Sequence, residues 1–207
     1  MAGFYAAHIA PRLIHLACGC PFIEQERGRI VPQAEGVVLE IGMGSGLNLP
    51  HYDRTRVRKV VGVEPSVPMT KLAGAELAIA GLDVEIIEGV AEDIPLETAS
   101  ADTAVITYTL CSVADPERAL DEVRRVLKPS GRILVLEHGR SDRPQTAKWQ
   151  DRLNPLWRPL AAGCNINRDT AALVKKAGFA FDWVETFKLR GTPEVVGFHT
   201  RGVARPR

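Results

Sequence analysis

From Glu40 to Asn48 the chain reads Glu-Ile-Gly-Met-Gly-Ser-Gly-Leu-Asn, a carboxylate followed by three glycines at alternate positions. Glycine lacks the Cβ that would hold a backbone away from a ligand, and it tolerates positive φ, so such a turn can cradle a small molecule closely. A dinucleotide site would show G-x-G-x-x-G. Counted from Gly42 the last glycine arrives one residue early, with Leu47 in its place, and this spacing points away from a pyrophosphate. Glu64 lies about twenty residues beyond the turn, where a carboxylate can take both hydroxyls of a ribose. Ala91-Glu92-Asp93 is placed to meet a nucleobase edge, and Thr107-Tyr108-Thr109 forms a fourth polar cluster.

These clusters each need a strand to carry them. Short apolar runs at 37–41, 59–63, 84–87, 103–107 and 133–136 alternate with helical stretches, the pattern of a parallel sheet covered by helices. Each cluster then falls at the carboxyl end of a strand, where open α/β sheets bind ligands. The spacing predicts helices over 66–81, 116–127 and 168–177, with Asp115 as N-cap of the second and Gly178 as the stop of the third. Segments 179–189 and 195–204 read as an antiparallel pair added at one edge. Residues 4–20 read as an amphipathic helix, with Tyr5, His8 and Arg12 near one face. The stretch 141–167 shows no clean periodicity.

The 207 residues suit one domain, 45% hydrophobic and 25% charged, with a net charge of +1 that gives no nucleic-acid footprint. Four cysteines (Cys18, Cys20, Cys111, Cys164) show neither a C-x-x-C pair nor a zinc-type spacing. Reduced thiols and a cytoplasmic location are the expectation. The apolar N-terminal stretch is interrupted by charge and proline, so no transmembrane segment is expected, though peripheral membrane contact is compatible with it.

The chain resembles the class I S-adenosylmethionine-dependent methyltransferases from about Val37 to Ala204. Glu40–Gly46 is similar to their first motif, Gly62-Val63-Glu64-Pro65-Ser66 to the ribose-binding loop, and Gly89–Pro95 to the adenine-binding segment. Leu127-Lys128-Pro129-Ser130-Gly131 is similar to the turn before their fifth strand. Thr109-Leu110-Cys111-Ser112-Val113, Glu137-His138-Gly139, and Trp149-Gln150 through Gly163-Cys164-Asn165 with Arg168 resemble a narrower branch whose animal members methylate small thiols at internal membranes. The resemblance implies a Rossmann-like seven-stranded mixed α/β sheet, helices on both faces, and a C-terminal antiparallel hairpin. The implied methyltransferase domain runs over 31–207, and residues 1–30 read as a helical segment that either closes over the cofactor as a lid or packs on the sheet as a surface helix.

S-adenosyl-L-methionine is the expected cofactor, held by Glu40, Gly42, Met43, Gly44, Gly46, Asn48, Glu64, Pro65, Ala91, Glu92, Thr107 and Tyr108. Methyl transfer from a sulfonium is an in-line displacement that rests on alignment and requires no metal. A thiol acceptor needs modest help to ionise, and His138 at the end of the fifth strand is the candidate base. Tyr5, His8, Cys164 and Asn165 are candidate acceptor-site residues. Trp149, Trp157, Leu153, Leu156 and Leu160 read as core, with the wall of an acceptor pocket as the alternative. The expected reaction is methylation of a small lipophilic acceptor, a thiol foremost. A quinone- or phospholipid-directed enzyme and a non-catalytic cofactor sensor are the alternatives.

Overall fold

The computed structural model describes residues 8–207. Five parallel strands, β1 (Gly36–Ile41), β2 (Val57–Val63), β3 (Val84–Ile87), β4 (Ala101–Thr107) and β5 (Leu127–His138), are followed by β6 (Phe179–Lys188) and β7 (Phe198–Pro206). They form one sheet in the order β3-β2-β1-β4-β5-β7-β6. Strand β7 runs antiparallel to both its neighbours, Leu136 facing Arg201 on one side and Val184 facing Gly202 on the other. The expected mixed sheet with a reversed terminal hairpin is the one found.

Period-two side-chain alternation divides the core into two layers. Leu39, Ile41, Ala104, Ile106, Ile133 and Val135 pack on one face, and Val38, Val60, Val105, Leu134 and Leu136 on the other. Glu40 follows Val38 in this alternation, so a carboxyl is carried into a buried layer at the strand's end.

Helices α1 (Ala10–Cys18) and α2 (Pro21–Ile30) precede the sheet. The expected N-terminal helix is thus joined by a second, and Tyr5 lies outside the described residues. The helix expected over 66–81 is split into α3 (Val67–Leu72) and α4 (Gly74–Ala80). At the break Ala73 is fully buried, and a Cβ on Gly46 would stand 3.3 Å from the Ala73 methyl, so the interruption lets the glycine turn pack on the helix. Helix α5 (Pro116–Val126) is capped as expected: the Asp115 carboxylate accepts from the Glu117 and Arg118 N–H groups, both at 3.1 Å. Residues 128–131 continue strand β5 instead of forming a turn, with a register shift opposite Ala101 and Thr103.

The largest departure is α6 (Pro144–Leu160), a 17-residue helix where no periodicity is legible. It contains Pro155 and Pro159, each of which removes one backbone bond. Its large apolar side chains are not core: Trp149 is 56% exposed, Leu156 69% and Leu160 73%. That overturns the core reading of this segment. Helix α7 (Thr170–Lys176) starts on an Asp169 cap, 2.9 Å from the Ala172 N–H. No helix among the described residues is long and apolar enough to cross a membrane.

Candidate functional site

The glycine turn leaves β1 with Gly42, Gly44 and Gly46 all at positive φ (66°, 58° and 77°). At Gly42 a Cβ would fall 2.4 Å from the Thr109 hydroxyl, so only glycine fits there. Met43 is buried against Gly62, whose own Cβ would lie 2.3 Å from the Met43 sulfur. Glu64, at the end of β2, closes the turn: its Oε2 accepts from the Gly44 N–H and its Oε1 from the Ser66 N–H, both at 2.9 Å. Burial raises the Glu64 carboxyl above its usual range, opposed by these two N–H groups. Each oxygen retains a lone pair for a further donor. Glu64 also borders a recess of about 350 Å³ with Val67, Thr70, Lys71 and Ile86.

Beneath the turn lies a buried polar network. Glu40 accepts from the Asn48 amide at 2.9 Å and from the Tyr52 hydroxyl at 2.7 Å. Burial pushes its carboxyl up to about 7 despite those bonds and the nearby Arg27 charge. The Asn48 amide also donates to Thr107 Oγ1 at 2.9 Å. Arg27 of α2 completes the set, donating to Asn48 Oδ1 at 2.6 Å and to Thr107 Oγ1 at 2.9 Å. Its guanidinium lies 5.4 Å from the centroid of the Tyr108 ring. Sequence reasoning missed Arg27 and Tyr52, because a single arginine or tyrosine carries no spacing that marks it as a network member.

The N-terminal helices sit over this turn. His15 Nδ1 of α1 is 2.8 Å from the Ser45 hydroxyl, and Glu24 of α2 pairs with His51 at 2.7 Å. The cleft left beneath them, bordered by Ile14, His15, Arg27, Gly42, Gly44 and Tyr108, holds about 60 Å³.

Beyond Tyr108 the character of the molecule changes. An apolar cavity of about 430 Å³ opens between α1, α6 and the ends of β4, β5 and β7, walled by Leu13, Ile14, Ile23, Trp157 and Leu160 among others. Tyr108 borders both spaces. Its backbone is left-handed (φ 54°), pinned by its N–H to the Leu136 carbonyl at 2.9 Å. Its hydroxyl is buried with no hydrogen-bond partner among the described residues. A strained, non-glycine residue with an orphaned polar atom marks a place where the fold serves something other than its own stability.

His138, Cys164 and Cys111 meet on one side of this cavity. His138 Nε2 lies 2.8 Å from Cys164 Sγ. Burial alone would lower the His138 imidazole, but the bond to Cys164 and its charge outweigh that and raise it. The Cys164 thiol is drawn down by its hydrogen bonds with Cys111 and His138, while Cys111 is driven up. Glu137, fully buried and pushed by burial up to about 7, accepts from the backbone N–H groups of Thr109, Leu110 and Cys111 and so fixes the turn that carries Cys111.

The remaining candidates are spread around these two spaces. Asn165 spends its amide on the Cys111 and Gly163 carbonyls, at 2.8 and 3.0 Å, and accepts from Asn154, so it clamps the Cys164 segment to the Cys111 turn. Glu92 accepts from the Asp115 N–H at 3.0 Å and thus braces the start of α5. Ala91 is buried and Pro65 exposed beside Glu64. His8 is exposed just ahead of α1.

Comparison with known proteins adds a family to this geometry. A pattern described as a methyltransferase domain matches residues 39–135. Thiol S-methyltransferase TMT1B of Rattus norvegicus is 35% identical over 150 residues, covering 70% of this chain and 61% of the relative. Thiol S-methyltransferase TMT1A of Homo sapiens is 31% identical, covering 72% and 62%. The chain therefore spans about three fifths of the length of these relatives. Among solved structures, a protein from Thermotoga maritima described as an S-adenosylmethionine-dependent methyltransferase, possible histamine N-methyltransferase, superposes with a TM-score of 0.68 at 25% identity, over 98% of this chain and 99% of that one.

Proposed function

Because the chain belongs to the S-adenosylmethionine-dependent methyltransferases, we propose that it methylates a small lipophilic acceptor, a thiol foremost. The observation that carries this reading is the pairing of a polar glycine-turn cleft with a 430 Å³ apolar cavity, joined at Tyr108. The first suits a charged nucleoside, and the second a greasy acceptor with one reactive polar head.

The residues of the first space fit the cofactor. The Glu64 carboxylate retains one lone pair on each oxygen for two ribose hydroxyls, and positive-φ glycines at 42, 44 and 46 bring backbone close to the ligand. Asn48, Thr107 and Arg27 present a polar floor, and the buried Tyr108 hydroxyl still lacks a partner among the described residues. When bound, S-adenosylmethionine supplies a methyl group on a positively charged sulfur. Met43 holds the turn against β2, while Ala91 and Glu92 border the segment assigned to the base. We assign a lid role to the N-terminal segment, whose helices α1 and α2 sit over the glycine turn with His15 Nδ1 2.8 Å from the Ser45 hydroxyl.

In the second space the apolar walls desolvate the acceptor and hold its chain, so its head meets His138 and Cys164. We assign to His138 the handling of the acceptor's charge, with Cys164 beside it and Asn165 keeping that segment in place. The thiol S-methyltransferase relatives support a thiol as that head. An acceptor panel of alkanethiols, phenols, amines and hydroquinones, scored by S-adenosylhomocysteine release, tests the reading. Turnover with alkanethiols above all others is expected, and release with hydroquinones alone would overturn the thiol assignment.

A further inference from the structure

Cys111, His138 and Cys164 are 26 and 27 residues apart in sequence, too far for any metal signature. The fold nevertheless brings their sulfur and nitrogen atoms within 4.8 Å of one another, at the edge of the apolar cavity. We propose that these three side chains bind a zinc ion whose fourth position opens into the cavity and takes the sulfur of the acceptor. The inference rests on the thiol reading above and deepens it.

Three observations carry the proposal. Two cysteines and one histidine with one position left open is a donor set of catalytic zinc, whereas structural zinc closes all four positions. Zn–S bonds of about 2.3 Å and Zn–N bonds of about 2.0 Å place tetrahedral ligand atoms roughly 3.5–3.8 Å apart. The three atoms lie within 4.8 Å of one another, so the 2.8 Å contact of His138 with Cys164 needs to open, and the widest separation to close, by about 1 Å or less.

Charge also favours the ion. Two thiolates with one neutral imidazole cancel the +2 charge, so the centre is neutral until the acceptor thiolate adds one negative charge, which methyl transfer from the sulfonium removes, as suits a wall of Leu13, Ile23, Trp157 and Leu160. The ligands are held from behind as well. Glu137 fixes the backbone of Cys111, and the Asn165 amide ties the Cys164 segment to the Cys111 carbonyl. Such outer partners orient the ligands of functional metal sites.

The chemistry balances without an oxidant. The two cysteine protons leave for solvent as the ion binds. An acceptor R–SH then loses its proton to solvent as its sulfur takes the open position. A lone pair on that sulfur forms the new bond to the methyl carbon, while the bond from that carbon to the sulfonium sulfur breaks and its electron pair stays on S-adenosylhomocysteine. The thioether product is neutral and binds the ion weakly, which favours release.

Cobalt titration of chelator-stripped, reduced protein tests the site directly. One equivalent of Co²⁺ is expected to give thiolate-to-cobalt charge-transfer absorption and tetrahedral d–d bands, and butanethiol should shift the d–d bands. Cys164→Ser is expected to weaken cobalt binding about 100-fold while S-adenosylhomocysteine binding is retained, which shows that the variant is folded. Cys111→Ser, at a more buried position, provides the second variant. Absence of charge-transfer absorption, or a Cys164→Ser protein that binds cobalt like the parent, overturns the metal site. Bands unmoved by butanethiol overturn the open position. A responsive cobalt centre with no thioether formed from any thiol would instead contradict the thiol reading and leave the metal site standing.

Discussion

The two spaces that meet at Tyr108 are built on opposite physical principles. Around the glycine turn, Glu40, Asn48, Thr107, Tyr52 and Arg27 satisfy one another in a buried network, and the cleft is only about 60 Å³. Across Tyr108, about 430 Å³ is walled mainly by aliphatic and aromatic side chains, with polar groups from Cys111, His138 and Cys164 and also from His199, Ser112 and Thr192. Networks of the first kind are stringent, because one lost partner leaves several buried groups unsatisfied. Apolar walls are permissive, since each contact contributes a small, additive share. The side proposed for the cofactor should therefore tolerate little change, and the side proposed for the acceptor should tolerate much.

Substitutions can break this contrast, and the largest effect is expected at Arg27. Arg27→Met leaves Asn48, Thr107 and the raised Glu40 without their cation, and should cost about 3 kcal/mol of stability in chemical denaturation. A loss below about 1 kcal/mol would show that the network is not stringent.

The pH dependence of stability should come next in size. Glu40 has a native pKa of about 7 against an ordinary 4.5. Below 4.5 both folded and unfolded chains hold this proton, so the group contributes no slope. Between 4.5 and 7 only the unfolded chain releases it, so stability should fall by on the order of 3 kcal/mol as pH rises, and level off above. Glu137 acts in the same direction. Glu40→Gln should remove its share of the slope in denaturation curves taken from pH 4 to pH 8 (about that span, set by the two pKa values).

Binding separates the two halves more finely. Glu64→Ala should weaken S-adenosylmethionine binding about 100-fold by calorimetry, through two lost charge-assisted bonds to the ribose. Trp157→Ala should leave that affinity unchanged and lower kcat/KM for long-chain thiols about tenfold, an effect of the permissive side. The smallest effect belongs to the proposed lid: His15→Ala removes the bond to Ser45 and should speed cofactor dissociation by roughly fivefold in stopped flow. A Trp157 variant that loses cofactor, or a Glu64 variant that loses only acceptor, would dissolve the division.

The same contrast explains what the sequence disclosed. The half we assign to the cofactor was legible because glycines at alternate positions and carboxylates at strand ends are local signals, each tied to one strand and one turn. Gly42, Gly44, Gly46, Glu40 and Glu64 are all of this type. Arg27 and Tyr52 reach the same network from other elements, so nothing near them in the chain announces it. The acceptor half was hidden for a different reason. Pro155 and Pro159 mask a helix whose apolar residues face outward or into a cavity, so its pattern follows neither core burial nor helix propensity. Cys111, His138 and Cys164 are distant in sequence and converge only when β4, β5 and the α6–α7 connection are assembled.

A homologous series of straight-chain thiols, from ethanethiol to octanethiol, tests the assignment of the apolar cavity most directly. Each added methylene buried in the cavity contributes about 0.8 kcal/mol, so kcat/KM should rise roughly fourfold per carbon until the cavity is full, at constant cofactor affinity. A flat series, or no S-adenosylhomocysteine released with any thiol, would contradict the account.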